Sequence, residues 1–290
     1  MKIKHDIVAL VLAGVAGMAT GTNAAAQCTT TPFPGPPKEV LIRCTLAQTA
    51  QPIAPPTYPG VDFNIFGFRT GMTVAQVEAL AAKIHLGKPG IKTKPLDNEV
   101  KMWGATALAQ GAPINQISYD FRLAGGSNRA TVIIYFSSPA TGSVSEAVYE
   151  NSNYITDRRQ KRPLVAPVVT KLVHQYGPSS SRTPSYMSQY LCWNFKGQSL
   201  VKASLRQPCY PNADDVMGTN VAAMGNGTYH PADSYIYALL STNSGEVNGL
   251  AQGLGDYRLA ALDRSEIKKQ LTLAIEKYSP PTQTSASTHR

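Results

Sequence analysis

The sequence predicts an α+β fold in which helices pack on antiparallel sheet. In some segments apolar residues recur every three or four positions, as on one face of a helix. In others they alternate with polar residues, as in a strand with one exposed face. The order helix–strand–strand occurs twice along the chain. This recurrence fits two divergent repeats, and it equally fits two independent uses of a common motif.

The first 26 residues have the three-part layout of a cleaved secretory signal peptide. Lys2 and Lys4 are basic, residues 7–19 are mostly apolar, and small residues allow cleavage between Ala26 and Gln27. The apolar stretch of 13 residues is too short for a membrane anchor, because crossing a bilayer takes ~20 residues. We therefore expect the protein in the periplasm or outside the cell.

Four cysteines follow the expected cleavage site: Cys28, Cys44, Cys192 and Cys209. Gln27 directly before Cys28 does not fit a lipobox, which disfavours lipid attachment. An even number of cysteines in an exported chain predicts disulfides. Of the three possible connectivities we favour Cys28–Cys44 with Cys192–Cys209, each worth about 3 kcal/mol, and the long-range pairings stay open. The spacings are too wide for a redox or zinc motif.

Charge bears on the expected partners. The chain has a formal net charge of +9 at pH 7, and removal of residues 1–26 would leave +8. A basic balance concerns partners and solubility more than fold. Outside the cytoplasm we expect no nucleic-acid partner. We expect the partner to be another envelope protein or an anionic surface; the alternative is a basic surface that only faces water.

No second apolar run reaches ~18 residues, so no transmembrane span is expected after the signal peptide. No motif predicts a cofactor.

Composition and periodicity divide the chain into five segments. The signal peptide (1–26) precedes a Pro/Thr-rich segment (27–60), which contains a short predicted strand at 39–44. Two α+β modules follow at 61–140 and 141–279, and a polar tail at 280–290 is expected to be disordered.

In the first module a short strand is predicted at 63–66. Thr73 and Gln76 then form a capping box that starts a helix. The apolar stripe of that helix comprises Val74, Val77, Leu80, Ala81 and Ile84. Alternating residues at 117–123 and β-branched residues at 131–138 predict two strands, which the glycine-rich turn at 125–128 joins as a hairpin.

In the second module helices are predicted at 143–155 and 163–176, the latter ended by Gly177. Strands are predicted on both sides of Gly197 and at 235–241, whereas 246–262 is ambiguous between strand and loop. A tight turn at Gly197 would place Cys192 opposite residue 203, so the chain must bend back to bring Cys209 near. The last helix is expected after Asp263, which is its predicted N-cap, with Glu266 as the capping partner.

The string FGFRTGMTVAQVEAL resembles a strand–helix pattern of bacterial envelope proteins. It is similar to outer-membrane assembly lipoproteins of the SmpA/BamE type and to β-lactamase-inhibitor-protein-like modules. The matching residues are Gly71, Met72, Thr73, Val74 and Val77. Residues 176–195 also resemble a stretch of uncharacterised proteobacterial secreted proteins. The resemblance covers about a tenth of the chain and implies a layered α+β fold with a binding or scaffolding role.

Catalytic motifs are weak. The four histidines after the signal peptide are scattered without metal-ligand spacing, and no G-x-S-x-G motif is present. His230 with Asp233, in the glycine-rich loop at 210–234, is the nearest approach to a catalytic pair. We expect no metal site and assign no catalytic residue.

One basic cluster stands between the two predicted helices of the second module. It comprises Arg158, Arg159, Lys161 and Arg162. The cluster is a candidate contact for an anionic surface, and the alternative is a solvated linker.

These observations favour an exported, non-enzymatic binding or envelope-associated protein. The alternatives are a secreted hydrolase that uses the 210–234 loop and an inhibitor of an extracellular enzyme.

Cleavage before Gln27 is directly testable. N-terminal sequencing of the exported protein is expected to begin at Gln27, because small residues stand at both positions that signal peptidase reads. An intact Met1, or an acylated Cys28, would contradict this interpretation.

Overall fold

The computed structural model describes residues 25–32, 40–51, 53–122, 129–153, 162–184, 187–201 and 232–279. Residues 1–24 of the predicted signal peptide, the polar tail and most of the 210–234 loop lie outside these residues. Within them the protein contains two sheets and three α-helices, which confirms the α+β class. No helix among the described residues is long and apolar enough to cross a membrane.

Thirteen strands and three α-helices make up the described fold. The strands are β1 (Gln27–Pro32), β2 (Val40–Thr45), β3 (Gly90–Thr93), β4 (Glu99–Met102), β5 (Ala105–Gln110), β6 (Ile114–Arg122), β7 (Arg129–Phe136), β8 (Ser145–Asn153), β9 (Ser181–Pro184), β10 (Ser188–Lys196), β11 (Ser199–Val201), β12 (Ser234–Asn243) and β13 (Glu246–Asp256). The helices are α1 (Val74–Lys83), α2 (Val165–Tyr176) and α3 (Tyr257–Tyr278).

The large sheet is antiparallel and has nine strands among the described residues. Its order is β11-β10-β12-β13-β8-β7-β6-β3, and β9 shares the outer edge of β10 with β11. The predicted β6–β7 and β10–β11 hairpins and the predicted strand at 235–241 are confirmed. Strands from both predicted modules belong to this one sheet, because β8 pairs with β7 on one side and with β13 on the other.

One face of the large sheet is apolar and lies under α1 and α2. The capping box at Thr73 and Gln76 is present, and the turn before it is tied to β8 by a hydrogen bond from Gly71 N to Ser145 O of 2.7 Å. Trp193 Nε1 donates to Gly177 O at 2.8 Å, which holds the end of α2 on the sheet. A buried row crosses six strands beneath the helices: Ile117, Ile134, Val148, Leu254, Ile236 and Trp193.

The opposite face carries a layer of tyrosines. Tyr149 and Tyr237 lie on either side of Gly253 in the register, and their rings cover that glycine. The hydroxyls of Tyr149 and Tyr235 are hydrogen-bonded at 2.6 Å. Since a ring can lie flat only where the strand below has no side chain, the glycines of β13 make this layer possible.

The small sheet has the order β1-β2-β5-β4, in which β2 and β5 are parallel. Cys28 and Cys44 are directly opposite in β1 and β2 and form the predicted disulfide, with 4.1 Å between their Cα atoms. Cys192 is also disulfide-bonded, and Cys209 lies outside the described residues. The β2 strand at Val40–Thr45 confirms the strand predicted there.

Helix α3 joins the two sheets. Tyr257 and Ala260 near its start belong to the tyrosine layer, whereas Ile267 and Leu271 pack on the small sheet. Gln270 is hydrogen-bonded to both the N–H and the carbonyl of Ala47, at 3.0 and 2.8 Å. The last long helix of the chain therefore fixes the small sheet to the large one.

Three sequence predictions are wrong. Residues 143–155 are not a helix but contain the strand β8 (Ser145–Asn153), which is buried on both faces and so lacks a strand's alternation. Residues 63–66 form no strand; Ile65 and Phe68 instead close a tight turn. The last helix begins at Tyr257, with Asp256 as its cap and no cap at Asp263, and 246–256 is the strand β13.

Gly253 provides a test of the tyrosine layer. A Cβ atom at this position would lie 2.5 Å from ring atoms of both Tyr149 and Tyr237. We expect Gly253→Ala to lower the free energy of unfolding by about 1–3 kcal/mol, as overpacking does, measured by urea denaturation.

Gly249→Ala is the matched control in the same strand, because its added Cβ would meet no atom closer than 3.4 Å. Equal stability of the two variants would contradict the close packing of the rings on Gly253.

Candidate functional site

Of the predicted pair His230 and Asp233, only Asp233 lies within the described residues. Asp233 itself has a structural role. Its Oδ2 accepts a hydrogen bond of 2.7 Å from Gly197 N, in the β10–β11 turn, and its main chain bonds to Phe195 and Tyr257. Among the described residues, no group of three His, Cys, Asp or Glu could hold a metal ion.

Of the predicted basic cluster, only Arg162 lies within the described residues; Arg158, Arg159 and Lys161 lie outside them. The Arg162 guanidinium is half-buried, and its Nη1 donates to Asn248 Oδ1 at 2.6 Å. The Arg162 guanidinium is thus partly engaged in a hydrogen bond within the protein.

A different basic surface lies at the free end of the large sheet. We call it the lysine edge and define it by β3, by the four lysines of residues 83–94 and by three exposed apolar side chains: Lys83, Lys88, Lys92, Lys94, Phe66, Ile84 and Ile91. Among the described strands, β3 is terminal in its sheet and pairs with β6 alone. All four of its residues are exposed, so no element of the described chain covers either of its faces.

The apolar part of the lysine edge lies beside the helix-covered core. Ile91 pairs with the buried Ile117 in the register, yet 49% of Ile91 is exposed. Ile84 at the end of α1 is 37% exposed. Exposed apolar side chains that continue a core to the edge of a sheet are typical of binding surfaces.

Phe66 is presented in a constrained turn. The turn is closed by mutual main-chain hydrogen bonds between Ile65 and Phe68, and Phe66 has a φ of 53°. A positive φ is unusual for a bulky residue and costs of order 1 kcal/mol. The Phe66 ring is 40% exposed and packs edge-to-face on Phe121 of β6, with 5.1 Å between centroids.

The charge of the lysine edge is of one sign. Residues 79–96 contain four lysines and one histidine and no aspartate or glutamate. Each of the four lysine side chains is exposed. Among the described residues these lysines take part in no salt bridge. An apolar strip flanked by unpaired cations can bind an anionic partner and still contribute apolar contact.

Buried carboxyl groups lie elsewhere in the fold, among them Glu150, Asp263 and Glu146. Glu150 on β8 accepts hydrogen bonds from Ser152 and Gln252. Burial raises its pKa, and those two bonds and Lys171 partly oppose the rise. Because Glu150 has partners within the core, its role is structural.

Asp263 holds α3 against the 3-10 helix Pro139–Thr141. Its carboxylate accepts hydrogen bonds from Ser138 N at 3.1 Å, from Ser138 Oγ at 2.6 Å and from Thr141 Oγ1 at 2.6 Å. Asp263, which the sequence indicates as the N-cap of the last helix, therefore binds the 3-10 helix instead.

Glu146 lies in the same buried region. Desolvation, with further contributions from Asp263 and Asp256, raises the pKa of Glu146 from 4.5 to about 8, and Arg264 partly opposes this. The carboxyl group is therefore mostly protonated at neutral pH in the folded protein.

Comparison with protein-family models, with curated proteins and with solved structures finds no match to this chain. The case for function therefore rests on the geometry of the described residues.

The raised pKa of Glu146 predicts a pH-dependent loss of stability. A carboxyl group with a raised folded-state pKa stabilises the protein fully below its unfolded pKa, and this contribution is lost as the pH rises through about 8. Glu146→Gln imitates the protonated form. We expect the stability of the wild type relative to this variant to fall by roughly 3 kcal/mol between pH 6 and pH 9, measured by urea denaturation.

Glu78→Gln, in the exposed side chain of a helical glutamate, is the control and is expected to show no such trend. Parallel pH profiles of wild type and Glu146→Gln would show that the buried carboxyl is not protonated.

Proposed function

We propose that the protein is an exported, non-enzymatic binding protein that holds an anionic partner at the lysine edge. The observation that carries this proposal is a terminal strand, exposed on both faces, that combines an exposed isoleucine with lysines and lies in a segment, 79–96, without aspartate or glutamate. Such a surface offers charge and apolar contact together.

Export is supported by the Cys28–Cys44 disulfide, since such bonds persist mainly in oxidising compartments. It is further supported by the signal-peptide layout of the sequence. The partners we infer are another envelope protein or an anionic surface.

The order of strands in the large sheet bears on the possible duplication. The strands that follow α1 include β6, β7 and β8 of this sheet, and those that follow α2 include β10, β12 and β13. In the sheet β8 and β13 lie side by side, so the two sets run outward in opposite directions. We infer a divergent duplication from this symmetry of order.

The hydrolase alternative has no support from the described part of the 210–234 loop. Asp233 is hydrogen-bonded to the β10–β11 turn, where it serves the fold.

Charge reversal tests the lysine edge. The variant Lys83→Glu/Lys88→Glu/Lys92→Glu/Lys94→Glu is expected to bind fluorescein-labelled poly-L-glutamate at least about 10-fold more weakly than the wild type, since four lost contacts of ~0.4 kcal/mol each give this factor. Fluorescence anisotropy at low and at physiological salt measures the affinity, which should fall with salt.

The control reverses four exposed lysines elsewhere: Lys196, Lys268, Lys269 and Lys277. It changes the net charge equally and is expected to retain most of the wild-type affinity. Equal losses in both variants, or no salt-dependent binding by the wild type, would refute the proposal.

A further inference from the structure

The geometry of the lysine edge points to the class of its partner. We propose that an acidic, extended segment of another protein binds by pairing with β3 as an additional strand of the large sheet. This inference rests on the proposed function, because it concerns the same surface.

The first support is the backbone of β3. Its inner edge pairs with β6, and among the described residues no strand occupies its outer edge. The N–H and C=O groups of a free strand edge are a template for another chain. A membrane surface or a flexible polyanion could use the lysines but not these groups.

The second support is that the start of β3 is held against β6, in a register that continues to Lys92 and shifts between Lys92 and Thr93. Ser118 Oγ donates to Gly90 O at 3.3 Å. A Cβ atom at position 90 would lie 2.7 Å from Ser118 Oγ, so glycine allows this close approach. A strand already fixed against its neighbour loses little conformational freedom on binding, which favours affinity.

The third support is the pattern of side chains along the edge. Ile91 lies beside Ile117, on the helix-covered face, and Lys92 follows on the other face. Lys88, Lys92 and Lys94 stand at even positions in the sequence. Main-chain hydrogen bonding to the segment that precedes β6 continues past the end of β3, because Lys94 N donates to Pro113 O at 3.2 Å.

This pattern selects the partner. An added strand with acidic residues at alternate positions would place carboxylates near the lysines and apolar residues near Ile91. Opposite charges on adjacent strands attract, so each such pair adds to the affinity.

Lysines on an edge strand also occur as a guard against aggregation. Here the lysines can both prevent self-association and attract an acidic partner. A second copy of β3 would bring like charges together, whereas an acidic segment would bring opposite charges together. A purely protective edge does not account for Ile91, which is 49% exposed on the strand. The charge therefore favours an acidic partner over self-association.

The probe is a blocked peptide of alternating glutamate and valine, nine residues long. Its comparison peptide has the same sequence with N-methyl groups on the four central residues, which removes the N–H donors of both its edges. Strand addition predicts that the unmodified peptide binds the full chain at least about 10-fold more tightly. When the peptide binds, hydrogen exchange in segment 88–94 is expected to slow at those N–H groups that have no main-chain acceptor within the protein; Pro89 has no N–H group.

Equal binding of the two peptides, or unchanged exchange at 88–94, would overturn strand addition; lysine-dependent binding in that experiment would leave the proposed function standing. Binding to phosphatidylglycerol vesicles without binding to the peptide would overturn strand addition and would favour a lipid surface as the partner. Absence of lysine-dependent binding to peptide, polyglutamate and vesicles would overturn both proposals.

Discussion

The pairing of β8 with β13 is the interaction on which the rest of the large sheet depends. It joins the strands that follow α1 to those that follow α2, in a register that runs from Gly249 opposite Asn153 to Gly255 opposite Ala147. The pairing also aligns the two faces. On one face it places Val148 beside Leu254 within the buried row, and on the other it brings the Tyr149 ring over Gly253. A shift by one residue would exchange these faces and remove both sets of contacts.

Several side chains that join the elements of this fold are polar. Asp263 binds the 3-10 helix, Gln270 binds Ala47, and Glu146 lies buried near Asp263 with a raised pKa. Buried polar groups that are satisfied restrict how elements can be arranged more than apolar contacts do. The orientation of α3 between the two sheets is set by such groups at two points along its length.

Local patterns in the sequence predict the elements whose formation depends on residues close to one another in the chain. The capping box at Thr73 and the alternation in β6 and β7 depend on near neighbours in the chain, and these were recognised. Strand β8 was mistaken for a helix because both of its faces are buried, which removes the alternation of period two.

The start of α3 was misplaced for a related reason. β13 passes into the helix without a linker, and Asp263 resembled a cap although it binds Ser138, 125 residues away in sequence. The lysine run at the candidate site was visible in the sequence. Its position at a sheet edge was not, because that depends on which strands pair, and β3 is a short exposed strand without an apolar pattern.

The two ends of the described chain meet at the small sheet. Tyr278 Oη donates to the carbonyl of Cys28 at 3.4 Å, across 250 residues, and α3 supplies the apolar cover of β2 and β5. A chain that emerges N-terminus first, from a ribosome or a translocon, cannot cover the apolar face of this sheet until its last helix has appeared. The contacts that close the fold are thus of the highest sequence separation, which makes their formation slow. Until then β1 and β2 have only the strand pairing of the small sheet and the Cys28–Cys44 bond, so early oxidation would preserve their pairing while synthesis continues.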